Sequence, residues 1–288
     1  MAGFFGLFNY EKEGPGIEKN APKKKTFVVF FETFFRNFWK FITINLVFGI
    51  MCIPGITSGL AAAGITNVTR NIARDKHSFG LSDYFETIKK NWKQALLAGI
   101  FNTFITIVLA VDVYTFSNTK GWFGIIGQGV SLCVTFIFLI MNFYIWTLMI
   151  TFKFNLKQIY LNSFRFVFIN MKMNLLCGGI LLLVNIGLAA LVFFSLRIPA
   201  VFILLLVLIF CSYPAFRFLL IQFCVFPAIK KYIIDPYYEE HPDEDIEQRK
   251  NLGIEIPEDE TEEETDEDGE ESDSENEEED PDSPVFED

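Results

Sequence analysis

Long apolar runs, separated by short segments rich in aromatic and basic residues, organise most of the chain. The last four runs are each long enough to cross a hydrocarbon core of ~30 Å as helices at ~1.5 Å per residue. The pattern predicts an all-α, polytopic membrane protein with six transmembrane helices arranged as three hairpins. The predicted spans are Phe41–Ile53, Gly55–Thr69, Gln94–Phe116, Trp122–Thr151, Leu175–Ser195 and Ile198–Phe216, the last of which continues past Arg217 as Phe218–Ile229.

A basic and aromatic segment precedes each predicted hairpin. In Phe27–Lys40, the charged residues Glu32, Arg36 and Lys40 recur every fourth position, opposite a face of phenylalanines. This spacing places them in one row of a helix. Ser82–Lys93 and Lys153–Asn174 also mix aromatic rings with cations. We expect all three segments to form amphipathic structure on the cytosolic membrane surface, and Ser82–Lys93 to form a separate short helix.

Composition and charge divide the chain into two unlike parts. Half of the chain is hydrophobic (51%) and 34 residues are phenylalanine, yet the formal net charge is −12. Residues 1–238 carry a net charge of +13, whereas residues 239–288 carry −25. The apolar part excludes a soluble globular domain, and the acidic part is too poor in apolar residues to fold alone. The predicted division is an irregular segment 1–26, a membrane domain 27–235 and a disordered acidic tail 236–288.

The distribution of Lys and Arg predicts the orientation. With six spans and a cytosolic N-terminus, only Lys120 and Arg197 of the 24 basic side chains lie outside. If Phe41–Thr69 were a single span, the cations from Arg70 to Lys93 would lie outside, which the positive-inside rule disfavours. We therefore expect a multi-pass protein of the cell (plasma) membrane with both termini in the cytosol and the lipid bilayer as its first partner.

A row of small residues follows the Pro54-Gly55 break. Gly55 and Gly59 have the GxxxG spacing, and Ala63 continues the row. Such rows let membrane helices approach closely, although small residues are also common in membrane helices in general. The favoured interpretation is a close contact with the first span.

A few polar residues inside the predicted spans are candidates for a solute path. Asp112 is the one acidic residue within a span, and Gln128 is at similar depth on the next span. Asn102 and Asn142 form a second pair at matching depth. An intramembrane carboxylate indicates function, but Asp112 is close enough to its span's end to reach outer water. The asparagines equally suit interhelical hydrogen bonding, which is the favoured interpretation.

No pattern of catalytic, cofactor-binding or metal-binding residues is present in the sequence. The motifs of nucleotide-binding loops, zinc proteases and serine hydrolases are absent, and the five cysteines form no CxxC or Cys/His cluster. We predict no enzyme activity, no cofactor and no metal. The polyanionic tail lacks the spacing of a calcium-binding loop and is unsuited to nucleic acid, since like charges repel.

Several segments resemble a known family. They are Phe4–Gly16, the Lys-rich lead into Phe27–Lys40, the Ile53-Pro54 turn with the small-residue helix to Arg70, and Phe79–Gln94 with its Lys89-Lys90-Asn91-Trp92-Lys93-Gln94. Together they resemble the YesL-like family of bacterial integral membrane proteins, over roughly residues 1–235 and most strongly over the first hundred. The resemblance implies a role in carbohydrate uptake or its control, because members are often encoded beside sugar-uptake transporters and glycan-degrading enzymes. It implies no catalytic residues.

Three classes of function remain open on this basis. The first is an accessory or regulatory subunit that docks to sugar ABC transporter subunits, for which Tyr84, Phe85 and Trp92 are the candidate docking residues. The second is a transporter component that itself forms the solute path, and the third is a structural or assembly protein of the membrane. Aromatic surface helices favour docking, whereas polar residues clustered inside the bundle would favour transport.

Overall fold

A computed structural model describes residues 25–240. Within this range the protein is all-α, 88% helical and without strands, as the apolar pattern predicts. The helices are α1 (Thr26–Arg36), α2 (Phe38–Cys52), α3 (Ser58–Ala73), α4 (Leu81–Asn118), α5 (Trp122–Thr151), α6 (Leu156–Ile169), α7 (Met171–Ser195), α8 (Pro199–Ile229), a π-helical turn (Lys230–Ile234) and α9 (Asp235–Glu240). The predicted irregular segment 1–26 and most of the predicted acidic tail lie outside the described residues, whereas residues 236–240 belong to α9.

Four of the described helices are long and apolar enough to cross a membrane: α4, α5, α7, and α8 with its continuation to Tyr238. Their apolar side chains are largely exposed on the outside of the bundle, which is the arrangement expected for helices solvated by lipid. The protein is therefore membrane-embedded. The helices α2 and α3 are shorter, at 15 and 16 residues.

The predicted surface helix Ser82–Lys93 is not a separate element. It forms the first third of α4, which runs without a break from Leu81 to Asn118. No glycine or proline separates Lys93 from the apolar residues that follow, so nothing in the backbone ends the helix there. One rigid helix thus joins the basic segment to the apolar span.

The helix α3 is the centre of the bundle. Eleven of its 16 residues are buried, and α2, α4, α5 and α8 all contact it. Its closest neighbour is α4: a Cβ atom added at Gly59 would lie 2.2 Å from the carbonyl oxygen of Ala95 and 2.7 Å from the Cα of Gly99. The small-residue row therefore faces the third predicted span and not the first.

The three residues of the predicted row have different surroundings. Gly59 is at the contact with α4, and Ala63 is fully buried one turn further along α3. Gly55 precedes the helix with a φ of +74° and has no atom within 4 Å of an added Cβ. Its role is to turn the chain from α2 into α3, because a left-handed backbone favours glycine.

A buried asparagine links α2 to a break in α8. Pro214 lies inside α8 and has no N–H to donate. Next to it, the Asn45 side chain donates from Nδ2 to the carbonyl oxygen of Cys211 (2.6 Å) and accepts from the amide of Ala215 (2.9 Å). These two groups would otherwise bond each other in a regular helix. Asn45 thus supplies hydrogen bonds to both backbone groups at the point where Pro214 distorts α8.

The glycine contact makes a testable prediction. Gly59→Ala places a methyl group against backbone atoms of α4 that have no freedom to move aside, so we expect the free energy of unfolding in detergent to fall by about 1–3 kcal/mol. The control is Gly178→Ala in α7, where an added Cβ meets nothing within 4 Å. Equal stability of both variants, measured by denaturant titration, would contradict the α3–α4 contact.

Candidate functional site

A polar cavity lies inside the bundle, between α2, α3, α4, α5 and α8. Its volume is about 300 Å³. The walls combine apolar surface with amides, hydroxyls and one cation. The polar lining residues are Ser58, Asn102, Thr103, Thr106, Asn142 and Arg217, and the main apolar ones are Phe48, Trp146, Phe218 and Ile221.

Hydrogen bonds between helices locate the cavity along the bundle axis. Gln94 of α4 donates to the carbonyl oxygen of Phe154, just beyond the end of α5 (2.5 Å). Asn102 is eight positions further along α4 than Gln94, and Asn142 is nine positions before the end of α5. Both asparagines are therefore ~12–14 Å from that end of the bundle, at the helical rise of ~1.5 Å per residue. The cavity is well inside the apolar part of the spans.

The structure brings Asn102 and Asn142 together. Asn102 Nδ2 donates to Asn142 Oδ1 (3.1 Å), and Asn142 Nδ2 donates to the carbonyl oxygen of Phe138 (2.9 Å). Asn102 Oδ1 in turn accepts from the Tyr160 hydroxyl of α6 (2.8 Å). The pair links three helices, and each amide nitrogen keeps a second N–H that these bonds do not use.

Tyr160 fixes the direction of this network. Burial raises the pKa of the Tyr160 hydroxyl well above its usual range, because the phenolate would lose its hydration. The hydroxyl therefore stays protonated at physiological pH and donates to Asn102. This holds the Asn102 carbonyl oxygen toward α6 and leaves its NH₂ group toward α5.

Arg217 is a cavity residue that sequence reasoning did not single out. The charge pattern assigned it to the cytosolic side, but the structure places it within α8 on the cavity wall. The position of α8 along α5 is fixed by Gln222, five residues after Arg217. Its side-chain amide donates to the Thr147 hydroxyl of α5 (2.9 Å). A cation that interrupts the apolar run Ile198–Ile229 was the signal available in the sequence.

Asp112 and Gln128 do not belong to the cavity. Both are partly buried, and they form no hydrogen bond with each other in the described structure. Asp112 is ten positions beyond Asn102 on α4, or ~15 Å toward the other end of the bundle. The four predicted path residues are thus separated into two groups at different depths.

One end of the bundle is basic. We call it the basic end: here α3 and α5 finish and α4 begins. The buried guanidinium of Arg70 donates to the carbonyl oxygen of Ile150 (3.1 Å) and to the hydroxyl of Thr151 (2.8 Å), so a cation caps the last turn of α5. Burial lowers the pKa of the neighbouring Arg74 to about 10, which leaves it charged at neutral pH.

The candidate docking residues lie at the basic end but differ in exposure. Phe85 is 44% exposed and Trp92 is 50% exposed. Tyr84 is fully buried, with its ring packed on Gly64 of α3, and is not accessible to a partner. The helical period of α4 turns Tyr84 inward and its neighbour Phe85 outward.

A groove at the basic end contains Trp92. It has a volume of about 750 Å³ and is lined by Lys90, Lys93 and Lys153 together with apolar residues such as Leu97. The groove continues past Phe154 into a second depression between α6 and the chain that enters α9. Cations beside an exposed indole form a surface suited to an acidic partner.

Comparison with known proteins gives one family match, which covers α2, α3 and most of α4. The match is to DUF624, described as "Protein of unknown function, DUF624", over residues 41–113. YesL-like proteins are DUF624 members, so the resemblance noted in the sequence is confirmed over these residues. No curated protein and no solved structure matches the chain.

The DUF624 match includes the Gly59–Gly99 contact, Asn102 and the aromatic side chains of Phe85 and Trp92. It indicates no enzymatic domain. Between residues 25 and 240 there is also no group of three or more His, Cys, Asp or Glu side chains that could hold a metal ion. The chemistry that the described site supports is hydrogen bonding and charge.

The asparagine network can be tested by a double-mutant cycle. Asn142→Ala and Tyr160→Phe each remove one partner of Asn102, so we expect their effects on the unfolding free energy to be non-additive by about 0.5–1.5 kcal/mol. A matched cycle pairs Asn142→Ala with Tyr232→Phe, whose exposed ring does not contact the cavity. Additivity in both cycles, measured in mixed micelles, would show that Asn102 does not couple α5 to α6.

Proposed function

We propose that the protein is an accessory or regulatory component of carbohydrate uptake, held in the cell membrane by six spans with both termini in the cytosol. In this proposal the basic end faces the cytosol and docks to subunits of a sugar ABC transporter. The observation that carries the proposal is the groove around Trp92, with its three lysines on the rigid start of α4 and on the α5–α6 connection.

The positions of α2 and α3 support six spans. Hydrogen bonds from Arg70 and Gln94 place the end of α3 and the start of the apolar part of α4 beside the end of α5. The C-terminus of α3 is therefore at the basic end. The helix α3 runs through the bundle toward this end, and α2 runs away from it. Because protein covers α3 on most sides, its modest hydropathy is compatible with a position inside the membrane.

The orientation gives the first test of this proposal. In a background without the five native cysteines, single cysteines at Asn118 or Lys120 should react with an impermeant thiol reagent from outside intact cells. Cysteines at Lys90 and Lys157 should react only after the membrane is opened, because both belong to the basic end. Labelling of Lys90→Cys from outside would overturn the six-span arrangement.

The chemistry of the groove indicates the kind of partner. Lys93 and Lys153 present positive charge around the indole of Trp92, and Lys90 beside them pairs with Glu86 one turn earlier (3.6 Å). A transporter subunit that offers an acidic segment with an apolar side chain would bury the indole and neutralise the lysines. Phe85 is seven residues, or about two helical turns, before Trp92 on α4 and extends the aromatic surface. The carbohydrate context comes from the resemblance to the YesL-like proteins.

One observation favours a second candidate, in which the protein forms the solute path itself. The cavity with Asn102 and Asn142 places hydrogen-bonding groups inside the spans, as a sugar path requires. Against it, the side-chain oxygens of both asparagines are already engaged, by Asn102 and Tyr160 respectively as donors to Asn142 and Asn102, and Asp112 is too distant to serve the same path. A purely structural or assembly role in the membrane is the third candidate.

Docking is tested by replacing the exposed aromatics. In cells that co-express the protein with the membrane and ATPase subunits of a sugar ABC transporter, Phe85→Ala with Trp92→Ala should reduce co-purification of those subunits about tenfold or more. The reason is that each truncated anchor costs more than about 1 kcal/mol of binding. Uptake of labelled oligosaccharide should fall in parallel, at unchanged membrane levels of the variant.

The matched control is Phe164→Ala with Phe168→Ala, which removes two exposed rings of α6 that do not line the groove. Equal loss in both double variants would indicate a general role of aromatic side chains at the lipid interface and would contradict docking. Unchanged capture by the Phe85/Trp92 variant would contradict docking through the groove. If oligosaccharide enters liposomes that contain the protein alone, the accessory role is wrong and the protein itself forms the solute path.

A further inference from the structure

The cavity inside the bundle has one charged wall residue, Arg217, and no acidic one. The guanidinium is close to the ring of Phe218, at 5.6 Å from its centroid, and forms no hydrogen bond or ion pair with any residue from 25 to 240. Asp112, the one carboxylate within the six predicted spans, is in a different part of the bundle. The positive charge therefore faces the cavity without a negative partner among the described residues.

A guanidinium that faces a cavity inside the membrane raises the free energy of the folded protein unless an anion pairs with it. A guanidinium inside a membrane protein is stabilised by water, by a counter-ion or by carbonyl groups, and intramembrane cations without a structural partner mark ligand sites. Arg70 provides a comparison within the same molecule: it is buried, but oxygens of α5 and of Asn67 accept hydrogen bonds from its two Nη atoms. Arg217 has five N–H donors and no such acceptors.

The remaining polar groups of the cavity complement an anion that carries hydroxyl groups. The second N–H groups of Asn102 and Asn142 are further donors. The hydroxyls of Thr103 and Thr106 donate to carbonyl oxygens of their own helix, of Gly99 (2.8 Å) and Asn102 (2.7 Å), so toward the cavity their oxygens act as acceptors. One part of the wall thus donates to negative oxygens, and another part accepts from hydroxyls.

We infer that this cavity binds a phosphate ester with a polyol group, with Arg217 as the anchor of the phosphate. The planar guanidinium forms two parallel hydrogen bonds with phosphate oxygens, and the neighbouring amides extend the set of donors. The volume of about 300 Å³ suits a group of the size of phosphoglycerol. This site is separate from the proposed docking groove, and the inference does not depend on docking.

The same chemistry has two sources, namely the headgroup of an anionic lipid and a soluble phosphate ester. Dioleoylphosphatidylglycerol and glycerol 3-phosphate are matched probes, because they share the phosphoglycerol group and differ in the acyl chains. The full-length protein is reconstituted in nanodiscs of zwitterionic lipid. Its thermal unfolding midpoint is then followed as phosphatidylglycerol replaces part of the lipid, or as glycerol 3-phosphate is added to the solution.

We expect the midpoint of the wild-type protein to rise with the concentration of one of the two probes, since a ligand that binds the folded state stabilises it by mass action. In Arg217→Gln the apparent affinity for that probe should fall at least tenfold. Arg217→Lys keeps the charge but loses the planar pair of donors, so it should bind with intermediate affinity. This variant keeps the inference testable if Arg217→Gln does not fold. Arg165→Gln, an exposed cation of α6 at the basic end, should bind as the wild type does.

Each outcome decides the inference. A response to phosphatidylglycerol alone, dependent on Arg217, identifies a lipid headgroup site, and a response to glycerol 3-phosphate identifies a site for a soluble ester. No response of the wild-type protein to either probe overturns the inference. Equal responses of wild type, Arg217→Gln and Arg217→Lys also overturn it, since the anion would then bind elsewhere on the basic surface.

Discussion

The close approach of α3 to α4 at Gly59 and Gly99 is the contact on which the rest of the structure depends. With two glycines facing each other, the backbones meet without intervening side chains, and dispersion forces act over the whole length of the interface. Lipid tails are as apolar as leucine, so no hydrophobic force draws these helices together. Their contact positions both candidate sites, because α4 carries Trp92 of the groove and, about one turn past Gly99, Asn102 of the cavity.

Several buried polar groups of the bundle are satisfied by specific partners from other helices. Asn45 replaces a missing bond in the backbone of α8, Arg70 caps α5, and Tyr160 orients Asn102. Within the membrane there is no water to take over such bonds, so each one restricts how the helices can be arranged. Arg217 differs from this rule in the described structure, and the difference is what points to a ligand.

The two candidate sites have different environments, so charge interactions differ in strength between them. The groove at the basic end is open, and its lysines act at a surface where salt screens charge over ~10 Å. The cavity lies between the spans at a depth where most neighbouring side chains are apolar, so a single ion pair there is worth more but also costs more to desolvate. The helix α4 contributes to both, with Lys93 in the groove and Asn102 in the cavity.

The sequence by itself determined the all-α class, the membrane location and the chemical character of each segment. Apolar runs of this length have few other solutions, because every backbone group must be bonded within a helix. It also indicated that Asn102 and Asn142 are at matching depth, since depth follows from counting residues along a helix. The aromatic and basic segments were predicted by their spacing, although the continuity of α4 past Lys93 was not.

Only the tertiary structure decided which faces meet. It directed the small-residue row of α3 to α4 instead of α2, buried Tyr84 while exposing Phe85, and separated Asp112 from the asparagines. It also placed Arg217 on the cavity wall, which charge counting had assigned to the cytosolic surface. Periodicity describes one helix at a time, whereas a partner is chosen by how side chains of several helices fit together, and that fit is not encoded in any single segment.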